Sequence, residues 1–150
     1  DLTVRGELGY SWNKFYSTQR LLDRDGVVES DEFGYVLGLD WFGISETFIS
    51  FQFFQNILMD DAKGLLRDRV ETNVSLNVTR DFRNDTIVAE MLWVHNLNDN
   101  DGFIRPKITY EVQSNLKLWI GADILYGTQN GLFGQFDAND RILLGAEWAF

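Results

Sequence analysis

Charged side chains recur at alternate positions in several stretches of this sequence, where they could line a polar channel or pair with one another. Side chains at every second position of a β-strand share one face of the sheet. The set carries both signs, so its members could neutralise one another inside a narrow barrel, where buried charges must be paired. We interpret the set as lumen-facing, with a water-filled, ion-conducting lumen as the alternative to a mutually paired one. Its members are Arg5, Glu7, Glu32, Asp40, Arg69, Glu71, Glu90, Arg105, Lys107, Glu111, Lys117, Asp123, Arg141 and Glu147.

A hydrolytic or metal-dependent site finds little support in the sequence. His95 is the only histidine, so a Ser-His-Asp hydrolase would have to use it, and no Gly-x-Ser-x-Gly elbow is present. We interpret His95 as an interfacial polar residue beside Trp93. The run from Asn98 to Gly102 resembles half of a calcium-binding loop, but Leu97 occupies the position of the first acidic ligand. The sequence therefore predicts no enzyme, no cofactor and no metal site.

Composition narrows the class of protein. The 150 residues carry a formal net charge of -10, which argues against binding to nucleic acid. The chain has no cysteine and can form no disulfide. Hydrophobic residues make up 45% and aromatic residues 15%, yet no stretch of about 18 consecutive apolar residues predicts a transmembrane helix. This combination favours a membrane β-barrel. No signal peptide is present, so if the protein is exported we expect this to be the mature chain or an engineered form of it.

Eight segments of about ten residues alternate between apolar and polar or small side chains, which predicts eight β-strands long enough to cross a bilayer when tilted. The predicted strands cover residues 2–12, 32–41, 47–56, 69–79, 86–95, 103–113, 116–126 and 141–150. The connections alternate in length, with long ones at 13–31, 57–68, 96–102 and 127–139 and short ones at 43–46, 80–85 and 113–115. Since bacterial barrels have long outer loops and short periplasmic turns, the long connections are predicted to lie outside the cell.

The final segment has an apolar face and ends on an aromatic residue. Ile142, Leu144, Ala146, Trp148 and Phe150 alternate with residues that are mostly small or charged. We expect this strand to pair with the first one and close the wall, because closure leaves no sheet edge open. We interpret Leu144, Trp148 and Phe150 as a C-terminal signal for the outer-membrane assembly machinery.

Aromatic residues fall mostly near the predicted strand ends. In a membrane barrel they would form two interfacial girdles. These residues are Trp12, Trp41, Trp93, Trp148, Tyr10, Tyr16, Tyr35, Tyr126 and Phe150.

Two stretches of the sequence resemble a known group of proteins. Residues 103–110 (FIRPKITY) and residues 133–139 (FGQFDAN), with the strand that follows to Phe150, are similar to the C-terminal part of large, poorly characterised Gram-negative outer-membrane porin-like β-barrel proteins. The resemblance implies the fold and the location, but no substrate. Those proteins have more than eight strands. This chain could therefore be a complete small barrel, a shortened or engineered one, or a terminal fragment.

The sequence as a whole predicts an all-β fold, a transmembrane antiparallel up-and-down β-barrel of about eight strands, formed by residues 1–150 as a single domain with both termini in the periplasm. We expect a structural or narrow porin-like protein of a Gram-negative outer membrane, with a charged, largely side-chain-filled lumen. Its expected partners are outer-membrane lipid, lipopolysaccharide and the assembly machinery, and not nucleic acid. The alternative is a soluble lipocalin-like barrel, whose apolar face would surround an apolar ligand. A membrane-embedded lipid-modifying enzyme is the third class.

Overall fold

The structure, a computed structural model, describes residues 1–18, 26–60, 63–129 and 131–149. Eight β-strands and one short 3₁₀-helix account for its regular elements. They are β1 (Leu2–Ser17), β2 (Val27–Ile44), β3 (Thr47–Leu58), β4 (Val70–Phe82), β5 (Ile87–Asn96), β6 (Asp101–Gln113), β7 (Leu116–Tyr126), the 3₁₀-helix η1 (Gly134–Asn139) and β8 (Arg141–Trp148).

All eight strands belong to one sheet, in which every strand pairs antiparallel with its neighbours in sequence. The prediction of an all-β, up-and-down architecture with eight strands is therefore confirmed. The alternation of apolar and polar residues explains the pairing, since each register keeps like faces together; Leu39, for example, pairs with Val4 on one side and Phe51 on the other. The described residues contain no helix with the length and hydropathy of a membrane span.

The sheet is open. β1 and β8 occupy its two edges, and no pairing joins them in the part of the chain that the structure describes. The predicted pairing of the first strand with the last, and with it a closed eight-stranded barrel, is wrong for the chain by itself. Period-two patterning decides which face a side chain takes, but closure also depends on strand number, tilt and stagger, which the pattern does not contain.

The first hairpin is longer than the sequence indicated. Residues 13–31 were predicted as a polar connection, but β1 continues to Ser17 and β2 begins at Val27. The pairing register shifts between Ser11 and Lys14, and Asn13 has a φ of 52°. Such a bulge inserts one extra residue and moves the following side chains to the opposite face. Smaller extensions, of β3 to Leu58, β4 to Phe82 and β6 from Asp101, shorten the predicted connections at 57–68, 80–85 and 96–102.

The two faces of the sheet differ in composition and exposure. Among the described residues, the buried polar and charged side chains outnumber the buried hydrophobic ones, which are Tyr16 and Leu58. The face that carries large exposed hydrophobic residues is called the apolar face, and the opposite one the charged face. Members of the apolar face include Leu2, Val4, Leu8, Leu37, Leu39, Phe51, Ile108, Leu118, Ile120, Ile142, Leu144 and Trp148. This arrangement is the reverse of a soluble protein, in which apolar residues fill the interior.

The two ends of the sheet also differ. The connections after β2, β4 and β6 are short turns, and we call that end the turn end. The connections after β1, β3, β5 and β7 lie at the opposite, loop end. Asp1 and Ala149 both lie at the turn end, where the Asp1 carbonyl accepts a hydrogen bond from Phe42 and the Ala149 N–H donates one to Asn115. An even number of antiparallel strands brings both ends of the sheet's chain to the same side.

Candidate functional site

In the described residues the charged face carries three groups of short ionic contacts and two weaker pairs, and the first group lies near the β1 edge. Arg5 on β1 donates to Asp40 on β2, with Nε–Oδ2 and Nη2–Oδ1 distances of 2.6 Å and 2.9 Å. Its Nη2 also lies 3.4 Å from Ser50 Oγ on β3. Gly38 faces Arg5 in the register and leaves room for the guanidinium to reach diagonally to Asp40. Arg5 and Asp40 therefore form a bidentate pair near the turn end.

The second group, the Asp123 cluster, joins β6, β7 and β8. Asp123 Oδ1 accepts from Arg105 Nε at 2.5 Å, and Oδ2 accepts from Arg141 Nε at 2.7 Å and lies 2.6 Å from Arg141 Nη2. The Asp123 side chain is 4% exposed, whereas the two arginine side chains are 47% and 63% exposed. Asp123 faces Arg141 directly in the β7–β8 register. One buried carboxylate between two guanidinium groups leaves an excess of positive charge at this site.

Two more pairs on the charged face are weaker. Lys107 Nζ lies 2.9 Å from Glu90 Oε2, and Lys117 Nζ lies 3.9 Å from Glu111 Oε2. All four side chains are partly exposed. Pairs of this kind contribute about 0–1 kcal/mol each to stability. Their main effect is to keep this face of the sheet polar.

The third group, the Glu32 cluster, lies at the loop end. Glu32 Oε1 accepts from Lys14 Nζ at 2.6 Å, and Oε2 accepts from Tyr16 Oη at 2.9 Å and from Arg67 Nη1 at 2.8 Å. Arg67 comes from the β3–β4 loop, and its Nη2 also lies 2.7 Å from Glu71 Oε2. Its guanidinium carbon lies 5.1 Å from the centre of the Tyr16 ring. Tyr16 was predicted for an interfacial girdle. That prediction is wrong, because the bulge after Ser11 turns Tyr16 towards the charged face.

Segments of two loops pack over the charged face at the loop end. In the β3–β4 loop, the Leu66 N–H donates to the Ser17 carbonyl at 3.2 Å. In the β7–β8 loop, the N–H groups of Phe133 and Gly134 donate to Asp101 Oδ2 at 2.6 Å and 3.0 Å. Asp101 is fully buried, so it holds this loop from beneath. Between the two loops lies a cavity of about 740 Å³.

The structure brings most of the predicted charged residues into ion pairs. These are Arg5, Glu32, Asp40, Glu71, Glu90, Arg105, Lys107, Glu111, Lys117, Asp123 and Arg141. In the described ranges Glu7 and Glu147, both on edge strands, form no ion pair. Arg69 lies just before β4, and its Nε donates to the Leu58 carbonyl at 3.2 Å. In the described residues β1 and β8 do not pair, so Arg5 on β1 has its ionic partner on β2 and Arg141 on β8 has its partner on β7.

Sequence reasoning missed Lys14, Tyr16, Arg67 and Asp101 as residues of the charged face. Lys14 and Tyr16 reach it only through the bulge, and no glycine or proline marks that bulge in the sequence. Arg67 and Asp101 lay in predicted loops, where periodicity assigns no face. Their local signal was weak, because acidic and basic residues are common throughout the loops.

His95 lies on the apolar face between two aromatic rings. Its ring is stacked with those of Trp93 and Tyr126, at centroid distances of 5.5 Å and 5.9 Å. The Tyr126 hydroxyl is 3.0 Å from His95 Nδ1 and accepts a hydrogen bond from Trp93 Nε1 at 2.7 Å. Within the described ranges, Tyr126 is the only side chain hydrogen-bonded to His95. Those ranges also contain no group of three or more histidine or acidic residues able to hold a metal ion.

Two of the three residues predicted as a C-terminal signal are described. Leu144 and Trp148 lie on the apolar face and are 74% and 69% exposed. Phe150 lies outside the described residues. The signal itself stays a prediction.

Fold and site together define a class of protein: an open, eight-stranded, up-and-down sheet with an exposed apolar face and an ion-paired charged face. No protein-family model, curated protein or solved structure matches this chain. The function therefore has to be argued from the two faces and the edges of the sheet.

Proposed function

We propose that this sheet forms part of the wall of a porin-like β-barrel in a Gram-negative outer membrane, with its apolar face on lipid and its charged face on the lumen. The observation that carries the proposal is the exposure of the apolar face. Leu2, Val4 and Leu8 on β1 and Ile142 and Leu144 on β8 are each more than 60% exposed. An apolar surface of this extent is a liability in water, whereas in lipid it is the surface that barrels present.

The open edges extend the proposal to the size of the barrel. Unpaired backbone N–H and C=O groups cost several kcal/mol each in hydrocarbon, so a strand edge that crosses a membrane has to be paired. We infer that further strands of the same pattern continue the sheet from β1 and β8. The lumen would then be wider than the side-chain-filled interior of an eight-stranded barrel. The half-exposed guanidinium groups of Arg105 and Arg141 are in keeping with a water-lined surface.

The two ends of the sheet give the proposal an orientation. Short turns are typical of the periplasmic side and long loops of the outer side. The turn end, with Asp1 and Ala149, would face the periplasm, and the loop end would face lipopolysaccharide. Leu144 and Trp148 would be presented on the lipid side of β8, where the assembly machinery could bind them.

The distribution of burial weighs against a soluble lipocalin-like barrel. Such a barrel would gather its apolar face around a ligand. Here the buried side chains are largely those of the charged face, for example Glu32, Asp40 and Asp123, and the apolar residues are exposed. A lipid-modifying enzyme gains no support from His95, whose neighbours are Trp93 and Tyr126 rather than a nucleophile and a carboxylate.

A pair of arginine substitutions on β4 tests the facing. Leu76 lies mid-strand on the apolar face, between Phe51 and Trp93, and Asn77 lies on the charged face, between Ser50 and Leu92. Leu76→Arg should lower the free energy of unfolding from lipid vesicles by about 2–4 kcal/mol. Asn77→Arg, the matched control, should cost less because its guanidinium can stay in water. Urea titration followed by tryptophan fluorescence measures both, and equal costs would reject the assignment of the faces.

Purification and conductance test the location and the barrel size. We expect the chain to need detergent or lipid to stay folded and dispersed. In planar bilayers, a wall completed by further strands should give a stable open-channel current. A chain that is folded and monomeric without detergent would overturn the membrane assignment, and a completed barrel without steady current would overturn the wide lumen.

A further inference from the structure

The cavity at the loop end is open to solvent and is lined by elements distant in sequence. Tyr16 of β1 lies at one side, Asn96 of β5 at another, and Phe133 of the β7–β8 loop at a third. Its volume of about 740 Å³ lies within the range of small-molecule sites in proteins. If the proposed function holds, this space lies at the outer mouth of the lumen, on the path that a solute must take.

Two amide side chains of the cavity lack protein partners. Asn56 on β3 and Asn73 on β4 are half-buried, and within the described residues their side chains form no hydrogen bond with protein. The Asn56 amide leans over Gly34, where a side chain would collide with Asn56 Oδ1. Gly34 therefore keeps this position open for the amide. Each amide offers donors and an acceptor, which suits a ligand whose groups can do both.

Aromatic and aliphatic surfaces accompany the amides. Phe54 faces Asn73 in the β3–β4 register, and Phe133 is held in place by Asp101 and by its ring contact with Phe103 at 5.2 Å. A site that combines a few placed polar groups with aromatic faces binds ligands that have both hydroxyl groups and a C–H surface.

The charges that line the cavity disfavour an anionic ligand. Glu32 and Glu71 neutralise the positive charge of Arg67, while its buried Nε has no hydrogen-bond partner among the described residues and can donate to a ligand oxygen. The remaining charge is that of Asp99, which adds a negative field and opposes an anion. Carboxylate oxygens at the rim can accept hydrogen bonds from hydroxyl groups without requiring a charged ligand.

We propose that this cavity binds an uncharged, polyhydroxylated solute of the size of a disaccharide. The amides of Asn56 and Asn73 hydrogen-bond its hydroxyl groups, and Phe54 and Phe133 cover its C–H surface. The role of the site in transport rests on the proposed function, because only in a barrel wall would such a solute pass through the cavity. Binding itself does not depend on transport.

Sucrose serves as the probe, and calorimetry of the detergent-solubilised full chain measures its binding. The double variant Asn56→Ala/Asn73→Ala should weaken sucrose binding about tenfold, as expected for the loss of two neutral hydrogen bonds. Asn77→Ala is the matched control, since Asn77 lies on the same strand and face as Asn73 but outside the cavity. The control should bind sucrose as the parent chain does.

The outcomes separate this inference from the proposed function. Sucrose binding that is lost in the double variant and kept in the control supports the site. No sucrose binding by a chain that inserts and conducts overturns the site and leaves the proposed function intact. Equal binding by the double variant, or tighter binding of the polyamine spermidine or of a sugar phosphate than of sucrose, also overturns it. Sucrose binding by a chain that neither inserts nor conducts supports the site and rejects the proposed function.

Discussion

The Glu32 and Asp123 clusters both place a nearly buried carboxylate among cations on the charged face. They differ in where along the chain the partners of that carboxylate lie. Asp123 contacts Arg105 and Arg141, which lie on the two strands beside its own. Glu32 contacts Lys14 on the neighbouring strand and Arg67 in the β3–β4 loop, 35 residues away in sequence. The first cluster follows from strand register, whereas the second requires a bulge and a folded loop.

The difference also concerns the exposure of the cations. The Arg67 side chain is 18% exposed, and Arg141 is 63% exposed. A buried cation that loses its partner cannot recover the lost interaction from water, whereas a half-exposed one can recover part of it. The Glu32 cluster should therefore be the more sensitive of the two, and its loss should release a loop as well as weaken the sheet.

Glu32→Gln should produce the largest effect of the charge-removing variants. The change keeps the side-chain volume and removes the charge that faces Lys14 and Arg67. We expect a loss of about 2 kcal/mol in the free energy of unfolding, below the 3–5 kcal/mol of a fully buried pair because the site is partly exposed. Urea titration in lipid or detergent measures it. Trypsin should also cleave faster after Arg67, because the loop is no longer held.

Glu147→Gln is the control for that experiment. Glu147 lies on the same face, on edge strand β8, and forms no ion pair within the described residues. Its substitution should change stability by less than about 0.5 kcal/mol. If Glu32→Gln and Glu147→Gln cost the same and cleavage after Arg67 is unchanged, the Glu32 cluster does not hold the loop.

The two clusters also mark how far the sequence could predict the structure. Asp123, Arg105 and Arg141 were predicted to share a face because alternation within a strand is read directly from the sequence. Glu32 was placed on the same face, but its partners Tyr16 and Arg67 were not. The bulge after Ser11 reverses the alternation at Lys14, and no single-sequence pattern specifies it. The prediction of a closed barrel was wrong for a related reason. The alternation in β1 and β8 assigns side chains to faces but does not specify the curvature of the sheet.

Asp123→Asn should have a smaller effect than Glu32→Gln. The substitution leaves Arg105 and Arg141 near each other without a counter-charge, but both reach solvent. We expect a loss of about 1 kcal/mol, and the loss should shrink at high salt because anions screen the two guanidinium groups. Unfolding by urea at low and high sodium chloride measures both quantities. A cost equal to that of Glu32→Gln would mean that exposure does not distinguish the clusters.

Asp99 differs from Glu32 and Asp123 because its surroundings disfavour its charged form. Its substitution should have the smallest effect. It lies in the β5–β6 loop, outside the strands. Partial burial raises the pKa of its carboxyl above the ordinary value, and the charges of Asp101 and Asp68 raise it further. The folded protein therefore binds this proton more tightly than the unfolded chain does. The stabilisation linked to it is complete below the ordinary carboxyl pKa and is lost as the pH rises through the raised one.

Asp99→Asn tests that sign by removing the titration while keeping the shape. At pH 7 the variant should be more stable than the parent chain, by less than about 0.5 kcal/mol because the group is largely solvated. At about pH 3, where the parent carboxyl is protonated in both states, the difference should disappear. Comparing the variant with the parent at each pH cancels the acid sensitivity of Glu32 and Asp123, whose stabilising pairs weaken in acid. A variant that is less stable than the parent at pH 7 would show that Asp99 has a favourable partner, and the contrast with the Glu32 cluster would be lost.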